Sequence, residues 1–365
     1  MTLVNDIIQA IEDFAPPALQ EDYDNAGLIT GNKNNSCTGV LFALDATEAI
    51  IDEAIALGCN MVVAHHPIIF KGLKKITGAN YVERTIIKTI KNDVAIYAAH
   101  TNLDNVRYGV NYKMAQKIGL TNLQILAPKK GLLNKLVVFV PAAHAEKVRE
   151  ALFAAGAGNI GNYSHCSFNL EGNGTFMGSS ETNPFAGKPN ELHTEPETRV
   201  EVIFESYLQP KILNSMRKAH PYEEVAFDVY PLLNAHPTVG SGMHGELEVE
   251  LSETDFLTRL KQVFQLKTLK YTNLLGKKVK KVAICGGSGQ FLLKNAIACG
   301  ADSYVSADFK YHEYFDADGK ILVADIGHFE TEQFTPELFY EIIQKKFPKF
   351  ALHLSKTNTN PINYL

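Results

Sequence analysis

No apolar run in the 365-residue chain approaches the ~18 residues of a membrane-spanning helix. The five cysteines, Cys37, Cys59, Cys166, Cys285 and Cys299, are scattered and form no CxxC pair. Isolated thiols of odd number build neither a disulfide framework nor a thiolate zinc site. An excess of basic charge is missing too. Lys and Arg total 35 against 40 Asp and Glu, for a net charge of −5, which does not favour counterion-release binding to nucleic acid. The densest basic group, Lys277, Lys278, Lys280 and Lys281, reads as lysines protecting the start of a strand. The opening residues, MTLVNDIIQAIEDF, have acids among apolar residues and no basic n-region. They read as a surface helix, not a signal peptide. The expected location is the cytoplasm.

What is present is an ordinary globular composition, 45% hydrophobic and 21% charged, which excludes a disordered chain. The length predicts two to three domains at about 150 residues each. In the first ~130 residues, apolar strands (TGVLFALD, NMVVAH, DVAIYAA) alternate with helix-period segments over 46–57 and 81–91. The last ~120 residues repeat that grammar with VKKVAICG, DSYVSAD, KILVAD and FALHLS as strands. A helix is expected over 290–298. Another opens at Thr335-Pro336, with Thr335 as its cap. The alternation predicts an α/β domain, a mostly parallel sheet with helices on both faces in three layers.

The middle differs. KLVVFVP, HAEKVREALFAAG, RVEVIFE, QPKILNSMRKAH and EVAFDVYPL read as strand, helix, strand, helix, strand. With one more strand at Tyr163–Leu170 the order is βαββαβ, a ferredoxin-like α+β unit. We therefore expect a discontinuous α/β domain (1–131 and 241–365) interrupted by an insert (132–240). The polar segment from Glu171 to Glu197 reads as a long loop.

Twelve histidines are present, and their placement is informative. His65 and His66 end the second strand, His100 ends the third, and His328 follows KILVAD by a short turn. Ligands collect at the carboxyl ends of parallel strands, so three strands of one sheet are expected to deliver imidazoles to one edge. Carboxylates accompany them: Asp104 follows His100 by four residues, and Glu332 follows His328 by four, on one face if that segment is helical. His65, His66, His328, Asp104 and Glu332 make a nitrogen and oxygen ligand set suited to zinc, iron, manganese, nickel or cobalt. Adjacent strand residues point to opposite faces. Either the chain turns at Pro67, or each histidine serves a different ion with a carboxylate between them. Two close metals activate a water and hold a substrate oxygen, as in many hydrolases, and five ligands fit two divalent ions better than one. His100 and His312 are the candidates for proton transfer or for orienting a ligand. His220 and His244 are weaker, the former read as insert packing. The CGGSG turn after VKKVAI lacks the spacing of a dinucleotide or P-loop fingerprint and reads as a tight strand-to-helix turn. If it faces the metals, its amides could hold a phosphate.

DYDNAGLITG (22–31), VVAHHP (62–67), AAHTNLD (98–104) and DIGHFETE (325–332) together resemble the Nif-three-like family, whose members carry the name GTP cyclohydrolase 1 type 2 homologue. AHPYEEVAFDVYPL (219–232) resembles the long form of that family, with a CutA-like or P-II-like insert. The resemblance implies two divalent metals per chain on His65, His66, Asp104, His328 and Glu332, and a toroidal homohexamer with its metal sites facing inward. It also implies hydrolytic opening of the guanine imidazole ring of GTP with loss of formate. Where the family pattern leads us to expect an arginine-like residue, this chain has His244 in GMHGE. The function expected is a dinuclear metal-dependent hydrolase acting on a nucleotide or related small molecule. A second reading is a non-enzymatic metal-handling or regulatory ring protein whose insert senses a ligand. The acidic net charge weighs against a third, a ring enclosing DNA.

Overall fold

The computed structural model describes residues 1–365. Helix α1 (Val4–Phe14) buries Val4, Ile7, Ile8 and Ile11, the stripe that a 3.6-residue period produces. Then come β1 (Gly27–Thr30), β2 (Val40–Ala43), α2 (Glu48–Ala56), β3 (Met61–Ala64), α3 (Tyr81–Lys91) and β4 (Ala95–Ala98). Every residue of β2, β3 and β4 is buried, as continuous apolar strands covered on both faces should be. Thr47 and Asn80 cap α2 and α3 by accepting from the amides of Ile50 and Glu83. The short α4 (Thr101–Asn105), α5 (Val110–Ile118) and β5 (Leu120–Pro128) complete the first half.

Next are β6 (Leu133–Pro141), α6 (Ala145–Ala155), β7 (Phe168–Phe176), β8 (His193–Glu205), α7 (Gln209–Ala219) and β9 (Phe227–Pro231). These belong to a compact unit, Pro128–Pro237; Met1–Ala127 and Thr238–Leu365 form the other. The insert sheet runs β7-β8-β6-β9 with all neighbours antiparallel. One face, with Leu136, Val138, Val200 and Val202, packs on Val148 and Leu152 of α6 and on Ile212 and Met216 of α7. The strand expected at Tyr163–Leu170 lies further on, and the polar stretch expected to be a loop is a loop only between β7 and β8, with strand at both of its ends. The two strands pair from Phe168 with Glu201 to Phe176 with His193. Most of β7 is exposed, so backbone pairing specifies it and no apolar alternation marks it.

The chain returns through β10 (Gly240–Ser252), α8 (Glu253–Val263), β11 (Lys270–Tyr271), β12 (Lys278–Ser288), α9 (Leu293–Ala298), β13 (Ser303–Ala307) and β14 (Leu322–Asp325). It ends with α10 (His328–Glu332), α11 (Thr335–Lys346) and β15 (Leu352–Leu354). Thr335 is the first residue of α11, not its cap. Phe334 occupies the cap position, with no capping side-chain bond, and the Thr335 hydroxyl has no partner.

Two sheets, not one, share these elements. The first runs β1-β4-β3-β2-β15, with β4, β3, β2 and β15 parallel and β1 antiparallel. Its Val40, Phe42 and Val63 pack with α1 and α11, while Leu41, Val62 and Ile96 pack with α2 and α3. The second runs β11-β14-β13-β12-β10-β5, with β12, β13 and β14 parallel. Helices α5 and α8 contribute to the core on one of its faces and α9 to the core on the other. No helix is long and apolar enough to cross a membrane.

Candidate metal centre

The centre lies where strand ends from both sheets meet. β3 stops at Ala64, and the amides of His65 and His66 both donate to the carbonyl of Leu44, at 3.1 and 3.0 Å. That shared acceptor takes both residues off the ladder, so their rings lie on one side with centroids 5.0 Å apart. The strict alternation of a strand does not apply to them. β4 ends at Ala98; His100 and then Asp104 of α4 follow it. From the second sheet, β14 leads through Gly327, at φ +97°, into α10, whose first and last residues are His328 and Glu332. The expectation of one sheet edge is thus corrected: β3 and β4 supply one side and β14 the other. One helical turn brings Glu332 Oε2 to 3.2 Å from His328 Nε2.

Two groups of three residues result, His65–Asp104–Glu332 and His66–His328–Glu332, and Glu332 belongs to both. Its Oε1 is 3.7 Å from His65 Nε2 and its Oε2 is 2.9 Å from His66 Nε2. Asp104 Oδ1 is 3.6 Å from His65 Nε2. A third group joins His65, His66 and His100. Each imidazole is fixed from behind. His65 Nδ1 donates to the Ala99 carbonyl at 2.9 Å. The Nδ1 atoms of His66, His100 and His328 face Asp45, Asp24 and Asp308 at 2.7, 2.8 and 2.6 Å. With Nδ1 committed outward, His65, His66 and His328 turn Nε2 toward the carboxylates, the orientation that metal-bound histidines adopt.

The charges in this centre are incomplete. His65 Nε2 and Asp104 Oδ1 are buried with no hydrogen-bond partner, a costly state for polar atoms. Burial, and next the charge of Glu332, push the Asp104 carboxyl well above its ordinary value. Burial alone would raise Glu332, but the imidazoles around it, His65 first, hold it well below. Burial would lower His66 and His328, yet their carboxylate neighbours raise them to about 9 and about 11. Lone pairs and negative charge converge where a cation, or protons in its place, must balance them. The donors therefore fit a divalent metal.

The glycine-rich turn faces this centre as part of a strand. Residues Gly286 to Ser288 belong to the end of β12, displaced by an irregularity in its pairing with β13. Gly287 has φ +61°, and a Cβ there would stand 2.4 Å from Glu332 Oε1. The Gly286 amide donates to Asn111 Oδ1 and the Gly287 amide to Thr331 Oγ1, both at 2.9 Å. Those amides are occupied and hold no phosphate; the glycines let backbone lie against the Glu332 carboxylate. The adjoining cleft, about 780 Å³, is lined by His66, His100, Asp104, His328 and Glu332, with Phe70 and Tyr81 among its apolar walls.

His312 does not join the centre. It is exposed on a short turn (Tyr311–Ala317), with its ring against Tyr311 and Phe315. His220 bonds the Phe139 carbonyl in the insert at 2.9 Å. His244 sits opposite Ala283 within the β10–β12 ladder. Sequence reasoning missed Asp24, Asp45 and Asp308 as the groups that orient imidazoles. Asp45 and Asp308 each close an apolar strand run, FALD and VSAD, a signal that could have flagged both.

Two interleaved sheets with imidazoles and carboxylates converging between their strand ends define an α/β protein with a site able to hold a metal. The chain belongs to the Duf34/NIF3 (NGG1p interacting factor 3) family, which it matches over residues 2–361. It is 41% identical over 366 residues to the GTP cyclohydrolase 1 type 2 homolog of Halalkalibacterium halodurans, covering 98% of each chain. The Bacillus subtilis protein of the same name is 39% identical over 365 residues, again covering 98% of each. A solved Bacillus cereus protein related to NIF3 superposes with a TM-score of 0.86 at 41% identity, over 100% of this chain and 99% of that one. A Staphylococcus aureus structure gives 0.81 at 27% identity with the same coverage.

Proposed function

We propose that this protein binds two divalent metal ions and acts as a hydrolase on a nucleotide or related small molecule, with ring opening of GTP the named candidate. The observation that carries this reading is the membership of Glu332 in two separate ligand groups. A carboxylate with one oxygen toward His65 and the other toward His66 and His328 supports the reading of a bridge. Zinc, iron, manganese, nickel and cobalt all suit such ligands. Bound there, a metal pair supplies an activated water and polarisation of a substrate oxygen.

The remaining work falls to the chain. His100 turns its Nδ1 to Asp24, so Nε2 is free to take and return a proton beside the centre. Burial would raise the Asp24 carboxyl, but bonds from His100 and Thr101 hold it well below its ordinary value. It stays anionic and fixes the orientation of the ring. The cleft walls receive the apolar part of a substrate and exclude water from it. The same reading makes the insert ferredoxin-like and the assembly a homohexameric ring.

The test is Glu332→Gln, which keeps the volume but removes the charge that offsets two close dications. Elemental analysis is expected to show loss of at least one ion and of hydrolytic activity in a folded protein. His353→Ala, in β15 and outside the cluster, is expected to keep both ions. Full double occupancy in Glu332→Gln would remove the bridge.

A further inference from the structure

The second large cavity lies wholly in the insert and has no part in the metal centre. It measures about 640 Å³, within the range of small-molecule sites. Its floor is the sheet face turned away from α6 and α7, where Phe139 and Arg199 stand opposite each other on β6 and β8. Residues after β7, from Met177 to Phe185, contribute another wall. An aromatic wall is already assembled: Tyr222 packs on Phe176 at 5.7 Å and on Phe185 at 6.1 Å between ring centroids.

The polar groups are arranged by sign. Arg199 is the one cation of the lining. Its Nη2 meets Glu201 at 2.9 Å, but Glu201 is shared with Lys135, also at 2.9 Å, so the positive charge of the pair is not fully answered. Arg199 Nε is buried with no acceptor, while the side chain as a whole remains 42% exposed. Glu197, Glu223 and Glu224 belong to the same lining. Glu197 accepts from the Tyr222 hydroxyl at 3.0 Å and lies so near β7 that a Cβ on Gly174 would be 2.2 Å from its Oε2. Glycine at 174 leaves room for that carboxylate beside the strand.

We propose that the insert binds a small zwitterion with a flat apolar body, of the class of aromatic α-amino acids. The ring lies against Phe139, Phe176 and Tyr222. The carboxylate answers Arg199, adding a charge-assisted bond to the one it makes with the shared Glu201. The ammonium faces Glu197 and its neighbouring glutamates. Polyphosphates are disfavoured by those same glutamates, so this site is distinct in chemistry from one for nucleotides.

The experiment is calorimetric titration of the full chain with L-phenylalanine, phenylacetate and phenethylamine, the last two lacking one charge each. L-Phenylalanine is expected to saturate the site, with each analogue about tenfold weaker. Arg199→Gln is expected to weaken L-phenylalanine and phenylacetate but leave phenethylamine unchanged, while Tyr222→Ala weakens all three. Circular dichroism and metal content identify variants that stay folded with the metal centre undisturbed. If Arg199→Gln does not fold, the ranking of the three probes on the unaltered protein decides. No saturable binding of L-phenylalanine, equal binding of all three probes, or a folded Arg199→Gln that binds L-phenylalanine as before would overturn the proposal.

Discussion

Asp104 and Glu332 are carboxylates buried among imidazoles, and in the absence of a cation it is protons that balance them. His66 and His328 carry raised values of about 9 and about 11, so near neutrality both rings hold a proton that a metal must displace. Metal binding at about pH 7 is therefore expected to release roughly two protons per chain. Apparent affinity should rise with pH, because each proton removed is one the metal need not displace. Calorimetry in buffers of different ionisation enthalpy reads the release directly; no release would mean that these imidazoles are not ligands. The metal-free protein should show the opposite sign. A raised folded value stabilises most below the unfolded imidazole value of 6.5, and that contribution is lost as pH rises through about 9 and then about 11. The five residues that gather in these groups were legible because each closes a strand run or follows one by a helical turn. The aspartates behind three of the rings were not, since Asp45 and His66, or Asp308 and His328, are brought together only by the fold.

The strand β12 shows how much an element can hide. Its apolar run predicted a strand, and the glycines after it predicted a turn, yet the strand continues to Ser288. What ends the regular pairing is Gly287 at φ +61°, where backbone replaces a side chain beside Glu332. Gly287→Ala must accept both the left-handed conformation and a Cβ 2.4 Å from Glu332 Oε1. We expect it to destabilise the protein by about 1–3 kcal/mol and to lower metal content, because the Glu332 carboxylate has to move. Thermal melts with and without added metal measure both effects; unchanged melting and occupancy would show that the close approach is not needed. β7 was misplaced for the opposite reason, an exposed strand specified by pairing with β8 rather than by apolar alternation. β2, β3 and β4 were readable because full burial leaves an uninterrupted apolar run.

At the scale of the molecule, alternation of strand and helix was visible in both outer segments, but their division into two sheets was not. β15 closes the first sheet from the far end of the chain by pairing with β2, and periodicity carries no information about such a return. The insert leaves and re-enters between β5 and β10, which are neighbours in the second sheet. Replacing residues 132–240 by a short Gly/Ser linker is therefore expected to give a soluble protein that still loads metal, checked by size exclusion and elemental analysis. An aggregated product would show that the outer unit needs the insert. The central claim is that Glu332 joins two metals, and it is tested most directly by anomalous scattering, with elemental analysis, on crystals of protein purified without added metal. The account predicts two peaks per chain, one beside His65 and Asp104, the other beside His66 and His328, with Glu332 between them. A single peak, or two peaks that Glu332 does not touch, would contradict it.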